Sequence, residues 1–356
     1  MKILLPFNTK NGVTLEDNVV TGGIEMFSRL MKENIDGVKA VYFNDDDRRS
    51  RTVTKKIIEA VHQEQPDVIV SSYDYASTTI RLSEAFPTIP VLWICHMGAG
   101  PFSKIKETES MNKFMENHFN TVFHVSHHQY NALNMQCQRF NKFSLNPVHG
   151  YIQPAFSKGN EEVSEEIEYE AITIGRSEKI KDPFWLHRKF KNKTSVNAAV
   201  CTDNNPKEKE YNDRNILLEQ TKPTFRALPH EENMKKLARS GLYVSTCNLE
   251  TWGITVLEAL ARGVPAVFPT DGTGRHASEE IPASTDHYKL IKKSIKADDL
   301  IDVIKYFNKF SHEKRIEISE MTKEKHSAEN WISNVTRMLD MTVENKKQIA
   351  KKDFFI

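Results

Sequence analysis

The stretch "NLETWGITVLEALARG", residues 248–263, is where the fold of this chain is read most directly. Glu250 and Glu258 have seven residues between them, Gly253 follows Trp252, and an apolar helical run surrounds the second glutamate. The segment just before it, "GLYVST" (241–246), is short, apolar and strand-like, and so is "VPAVFPT" (264–270) just after it. Apolar strands separated by a buried helix belong to a parallel sheet covered on both faces. The first-turn amides of such a helix lack partners within it and favour an anion. Glu258, further along, can accept hydrogen bonds from the vicinal hydroxyls of a ribose, and Glu250 from those of a second sugar. A glutamate near a helix start can also simply complement the helix dipole, but that accounts for neither Glu258 nor Gly253.

Three more apolar runs precede this unit: "AITIG" (171–175), "SVNAAVC" (195–201) and "TFRALP" (224–229). A similar series fills the first half, with "KILLPF" (2–7), "KAVYF" (39–43), "DVIVSS" (67–72), "VLWIC" (91–95) and "TVFHVS" (121–126), and helical patterns at 23–31 and 52–64. Between the two series, "SKGNEEVSEEIEYE" (157–170) is polar and acidic and reads as a solvated connector. The expected organisation is therefore α/β, with one parallel-sheet domain over 1–156, a linker over 157–170 and a second domain over 171–325. A helical tail, 326–356, could cross back onto the first domain. A length of 356 residues agrees with two domains, at about 150 residues each.

Composition narrows the class. Charged residues make up 27% and hydrophobic ones 39%, as in soluble globular proteins, and the formal net charge of +1 gives no global attraction to nucleic acid or anionic membrane. The N-terminal "MKILLPFNT" is interrupted by Pro6 and Asn8, so it reads as a first strand rather than a signal peptide. No run approaches the roughly 20 apolar residues that span a bilayer. The four cysteines lie far apart, without metal-ligand or redox spacing, and read as reduced thiols in a cytoplasmic protein.

Ligands of open parallel sheets bind beyond the carboxyl ends of the strands, so the residues there come first. Gly22 and Gly23, before the first helix, are either a structural turn or a backbone cradle for a bulky anion. In "GRSEKIKDPF", Arg176 and Lys181 are spaced either to converge on one phosphate or to stand apart as solvated cations. His127 and His128 read as ordinary surface, and with His124 they lack a convincing metal-ligand frame.

In combination and in order, these pieces resemble the retaining GT-B glycosyltransferases, the group related to glycogen, sucrose and mannosyl transferases. The resemblance rests on Gly22-Gly23-Ile24-Glu25, His96 in "LWICHM", Ser126 in "FHVSHHQYNAL" and the turn "HGYIQPAFS". It continues through Gly175-Arg176 with Lys181, Glu250-x-x-Gly253, Glu258-Ala259, Gly263 and Pro265. It implies two Rossmann-like domains facing a cleft and sugar transfer from a nucleotide sugar, here a UDP-sugar, with no essential metal. Arg176 and Lys181 would then neutralise the departing diphosphate, Glu258 would hold the ribose, and Glu250 the donor sugar. Gly22, Gly23, Gly253, Ile254 and Thr255 would flank the diphosphate and sugar, and His96 would touch the transferred sugar. The base would lie near Phe225 to Pro229. His149 stands where the pattern has asparagine, and "TDGTGRHASEE" is longer than the usual Gly-Gly-x-x-Glu loop, so Gly272, Gly274 and Glu279 have no firm counterparts.

For the acceptor, the lysine- and asparagine-rich composition resembles virus-encoded GT-B enzymes that glycosylate hydroxymethylated bases, such as 5-hydroxymethylcytosine, in DNA. On that reading Arg48, Arg49, Arg51, Lys104 and Lys106 would contact phosphates and the base would flip into the cleft. Transfer to a polysaccharide, lipid or small molecule, a GT-B epimerase or hydrolase, and a non-catalytic nucleotide-sugar binder are the alternatives.

Overall fold

The computed structural model describes residues 1–8, 14–15, 23–43, 55–71, 76–95, 114, 116–128, 131, 150–151, 162–191, 196–204, 208–247, 250, 252–270 and 276–353. The chain divides into two compact units, Met1–Ser157 with Ala328–Ile356, and Lys158–Ser327.

Among the described residues the first unit holds a parallel sheet of six strands: β1 (Ile3–Asn8), β2 (Val38–Phe43), β3 (Val68–Ser71), β4 (Val91–Cys95), β5 (Thr121–His124) and β6 (Gly150–Tyr151). Their order is β2-β1-β3-β4-β5-β6. Helices α1 (Gly23–Asn34), α2 (Lys55–Glu64) and α3 (Ala76–Ala85) follow the first three strands in turn. Continuous apolar runs form the strands because both faces are covered: Leu4, Ile69, Trp93 and Val122 sit in one buried cluster with Ile57 and Val61 of α2. Each such side chain contributes about 1.5–3 kcal/mol by leaving water.

The second unit repeats the plan. In chain order it contains β7 (Ala171–Ile174), α4 (Trp185–Lys189), β8 (Ala198–Thr202), α5 (Lys209–Glu219), β9 (Thr224–Arg226) and α6 (His230–Ala238). It continues with β10 (Tyr243–Val244), α7 (Ile254–Ala261), β11 (Ala266–Pro269), β12 (Tyr288–Ile291), α8 (Ala297–Phe307) and α9 (His312–Lys325). All neighbours are parallel, in the order β12-β11-β10-β7-β8-β9. The expected strand 224–229 stops at Arg226, because Ala227 takes a left-handed φ of 52° and donates its N–H to Thr202 O. The described part of the acidic segment is tied down: Arg239 pairs with Glu166 at 2.9 Å and Glu168 at 3.2 Å.

The last helix, α10 (Ala328–Asp353), belongs to the first unit. Trp331, Val335, Met338 and Leu339 form its buried stripe at helical spacing. Trp331 meets the Phe27 ring edge-on at 5.5 Å, and the Thr342 and Thr121 hydroxyls bond at 2.9 Å.

Two buried histidines make the second unit acid-sensitive. His187 Nε2 bonds Ala198 O and His326 Nε2 bonds Ile281 O, and burial pushes each imidazole down to about 4 from 6.5. The unfolded chain takes these protons near pH 6.5 and the folded chain only near 4. Stability is therefore lost as pH falls through that window, at up to about 1.4 kcal/mol per pH unit for each histidine. Thermal unfolding followed from pH 7.5 down to 4.5 is expected to show a falling Tm whose slope lessens in His326→Gln. A flat profile would contradict the assignment.

Candidate functional site

β7 leads to β8 and β9 on one side, while β10, β11 and β12 lie on the other. The strand order therefore reverses between β7 and β10, the switch point beyond whose carboxyl ends open parallel sheets receive ligands. The loop after β7 carries Arg176 and Lys181, and the loop after β10 carries Glu250 and Gly253.

The structure brings Lys181 and Glu250 together. Lys181 Nζ lies 2.7 Å from Glu250 Oε2, with the side chains 26% and 18% exposed. Burial alone would lower the Lys181 ammonium, but Glu250 outweighs it and holds the group above its ordinary value. Arg176 is more open, and its Nη2 lies 3.1 Å from Glu178 Oε1. Its charge still works against the Lys181 ammonium. In the chain alone, then, each cation proposed for the diphosphate faces a carboxylate.

Several side chains hold these loops. Thr246 Oγ1 donates to Lys181 O at 2.6 Å, which ties the two loops together. Ser177 N donates to Asp203 Oδ1 at 2.6 Å. Asp182 sits at a positive φ of 46°, and its Oδ1 accepts hydrogen bonds from Arg188 and from the Tyr211 hydroxyl. Backbone strain held by side-chain bonds is common where a loop must present groups in fixed positions.

Gly253 caps α7 at φ 99°, and a Cβ there would lie 2.2 Å from Ser278 Oγ. That hydroxyl donates to Trp252 O at 2.7 Å. Buried His276 donates from Nε2 to Cys247 O at 2.8 Å and accepts Ser278 N–H at Nδ1, at 3.1 Å, which fixes a neutral tautomer. The Glu279 carboxylate accepts the His276 N–H at 2.5 Å. The turn at Ala277–Glu280 thus grips both ends of the loop that carries Glu250.

Ile254 and Thr255 supply the opening amides of α7. Around Glu258 the helix is apolar and closed, with Val256, Leu257, Ala259 and Leu260 buried. Glu258 Oε1 lies 3.1 Å from His230 Nε2 at the start of α6. The Tyr243 hydroxyl, which donates to Ile174 O at 3.4 Å, is pushed up from its ordinary value by burial first and then by Glu250 and Glu258.

Gly23 opens α1 in the first unit. Gly22, His96, Arg48, Arg49, Arg51, Lys104 and Lys106 lie outside the described residues, as do Gly272 and Gly274. The sequence reading did not single out His230, Tyr243, His276 or Ser278. His230 carried the best available signal, directly after Pro229 at the end of the segment expected to hold a base. Among the described residues no group of three or more His, Cys, Asp or Glu side chains is placed to hold a metal ion, and no helix is long and apolar enough to cross a membrane.

No family model matches this sequence, and no match was found among curated proteins. Among solved structures, HepE from Anabaena, in complex with UDP and glucose, superposes at a TM-score of 0.68 with 12% identity, over 96% of this chain and 99% of HepE. Sucrose-phosphate synthase from Thermosynechococcus elongatus gives 0.67 and 12%, over 95% of this chain and 98% of its own. TarM gives 0.59 and 14% over 80% of this chain, which spans 57% of TarM's length. Together with the two parallel sheets, these likenesses establish the GT-B fold.

Proposed function

We propose that this chain is a retaining glycosyltransferase that moves a sugar from a nucleoside-diphosphate sugar, specifically a UDP-sugar, to an acceptor hydroxyl. The observation that carries this reading is the grouping at the β7/β10 switch point. Two cations and the N-terminus of α7 stand there with two separate carboxylates, Glu250 and Glu258. HepE, which shares the fold over nearly its whole length, was solved with UDP and glucose, and this supports the choice of donor.

In the reaction, the bond from the anomeric carbon to the diphosphate oxygen breaks and a bond from that carbon to the acceptor oxygen forms. Arg176, Lys181 and the amides of Ile254 and Thr255 take the charge that develops on the diphosphate. Glu250 accepts hydrogen bonds from the transferred sugar, and Glu258 from the ribose. We also assign donor contacts to Gly22 and Gly23 and contact with the transferred sugar to His96. Retention follows a front-face course in which the departing phosphate oxygen takes the acceptor proton, so no separate base is required.

Removing one such donor group lowers turnover by about 10²–10³-fold. Arg176→Ala is expected to show this loss while remaining folded, since Arg176 is 65% exposed. Gly253→Ala is expected to lose about 10²-fold by displacing Ser278 and the helix start. Unaltered turnover in either variant would reject the assignment.

The acceptor taken into the test is 5-hydroxymethylcytosine in DNA, with Arg48, Arg49, Arg51, Lys104 and Lys106 contacting phosphates. A panel of nucleotide sugars is assayed for diphosphate release with and without hydroxymethylated DNA. Release that requires the modified DNA and weakens steeply with salt supports this acceptor. Release with a glycan, lipid or small molecule moves the assignment there, and turnover without any acceptor makes the chain an epimerase or hydrolase.

A further inference from the structure

We propose that His230 sets the donor affinity of this site by competing with the vicinal hydroxyls of the nucleotide's ribose for Glu258. The inference rests on the donor-site reading above and adds a residue that the family resemblance did not supply.

The geometry is specific. His230 is the first residue of α6, and its Nε2 reaches across to Glu258 Oε1 on α7 at 3.1 Å. Glu258 is the sheltered partner, 17% exposed, whereas the His230 side chain is 54% exposed. The imidazole can therefore turn into water without opening the core, while the carboxylate stays fixed on a buried helix. His230 also directly follows the Ala227–Pro229 turn, where Ala227 takes a left-handed φ of 52° and where a base is expected. A nucleoside lying along that turn would bring its ribose to the imidazole–carboxylate pair.

Charge decides the sign. The hydrogen bond to Glu258 raises the His230 imidazole above 6.5, against burial and against the positive charge of Arg262 just past the end of α7. The other charged groups on its own helix are engaged elsewhere: Lys235 pairs with Glu231 at 3.1 Å and Glu232 at 2.9 Å, and Lys236 Nζ lies 3.8 Å from the centre of the Phe225 ring. Across the site, Tyr243 faces Glu258 as a neutral phenol. Below its titration point His230 is an imidazolium, a charge-assisted donor to the carboxylate. Above it, the neutral ring holds Glu258 less strongly and the ribose hydroxyls replace it. Donor affinity should therefore rise as pH rises through the His230 titration.

The test is calorimetric binding of UDP-glucose to the full chain between pH 5.5 and 8.5. UDP-glucose is chosen because its diphosphate carries no group that titrates in this range. For the unaltered protein, affinity is expected to weaken about fivefold from pH 8 to pH 6. In His230→Asn, which keeps a hydrogen-bond donor but no titrating group, the profile is expected to be flat. The histidine NMR titration supplies a second reading: the His230 resonance should return toward its ordinary value in Glu258→Gln and also on saturation with UDP-glucose. The same pH dependence in His230→Asn, or a His230 titration indifferent to both Glu258→Gln and UDP-glucose, would overturn the inference while leaving the donor site intact. If UDP-glucose and the other nucleotide sugars of the panel bind at no pH, the donor reading itself fails and this inference falls with it.

Discussion

Glu250→Gln is expected to lower sugar transfer by about 10²–10³-fold and, at the same time, to bind free UDP more tightly than the unaltered chain. The loss follows from removing the carboxylate that the proposed donor site assigns to the sugar. The gain follows from the 2.7 Å contact between Glu250 Oε2 and Lys181 Nζ. A diphosphate arriving at Lys181 must share that ammonium with a carboxylate of the same sign as itself. Glutamine keeps the shape and the hydrogen bond but drops the charge. An ion pair of this partial exposure is worth up to about 1 kcal/mol, so the affinity for UDP should improve about fivefold. Lys181→Ala should lose both transfer and UDP affinity. The opposite signs at two residues of one pair separate a donor site from a merely structural salt bridge, in which both variants would lose stability and leave UDP binding unchanged. Equal transfer rates in Glu250→Gln and the unaltered chain would remove Glu250 from the site.

The second large effect concerns stability and lies away from the reacting groups. Arg315 is 3% exposed, and its guanidinium donates to Gly263 O at 3.1 Å and to Ala238 O and Ser240 O at 3.0 Å each. These carbonyls lie at the C-terminal ends of α6 and α7, the two helices that carry His230 and Glu258. A cation is favoured at helix C-termini, where carbonyls lack partners within the helix. Burial lowers the guanidinium to about 10, so it stays charged at neutral pH. Arg315→Ala leaves three carbonyls unsatisfied in the interior, each at about 1–3 kcal/mol. An overall loss of about 3–4 kcal/mol is expected once partial relaxation is allowed for. Urea unfolding with peptide-resolved hydrogen exchange should show the loss over 230–263, with the strands of the first unit unaffected. A change below about 1 kcal/mol would mean that water replaces the guanidinium, contrary to its burial.

Much of the fold was legible because its physics is local. Strands covered on both faces leave unbroken apolar runs, and the eight-residue spacing from Glu250 to Glu258 marks a loop and a helix that follow one strand. What escaped were two of the edge strands. β12, "YKLI", is half-exposed and follows a long loop, and β6 is only two residues. Neither has the apolar run that made the central strands visible.

In the site, the loops after β7 and β10 could be read from glycines and charges, since strand ends are where ligands bind. Their pairing could not. Lys181 and Glu250 are 69 residues apart, and Thr246 meets the Lys181 carbonyl across 65. His276 and Ser278 are ordinary polar residues in sequence, and only the folded turn shows them gripping Cys247 O and Trp252 O. His230 stood one residue past the expected base-binding segment, and nothing in the sequence marks its reach to Glu258 on another helix.

The most direct test of the donor site is hydrogen exchange of the full chain with and without saturating UDP-glucose, resolved by peptide. Protection gathered over 175–182, 226–231 and 246–258, at the carboxyl ends of β7, β9 and β10, is the result expected from a nucleotide sugar seated at the switch point. Protection confined to other segments, with these three unchanged, would contradict it.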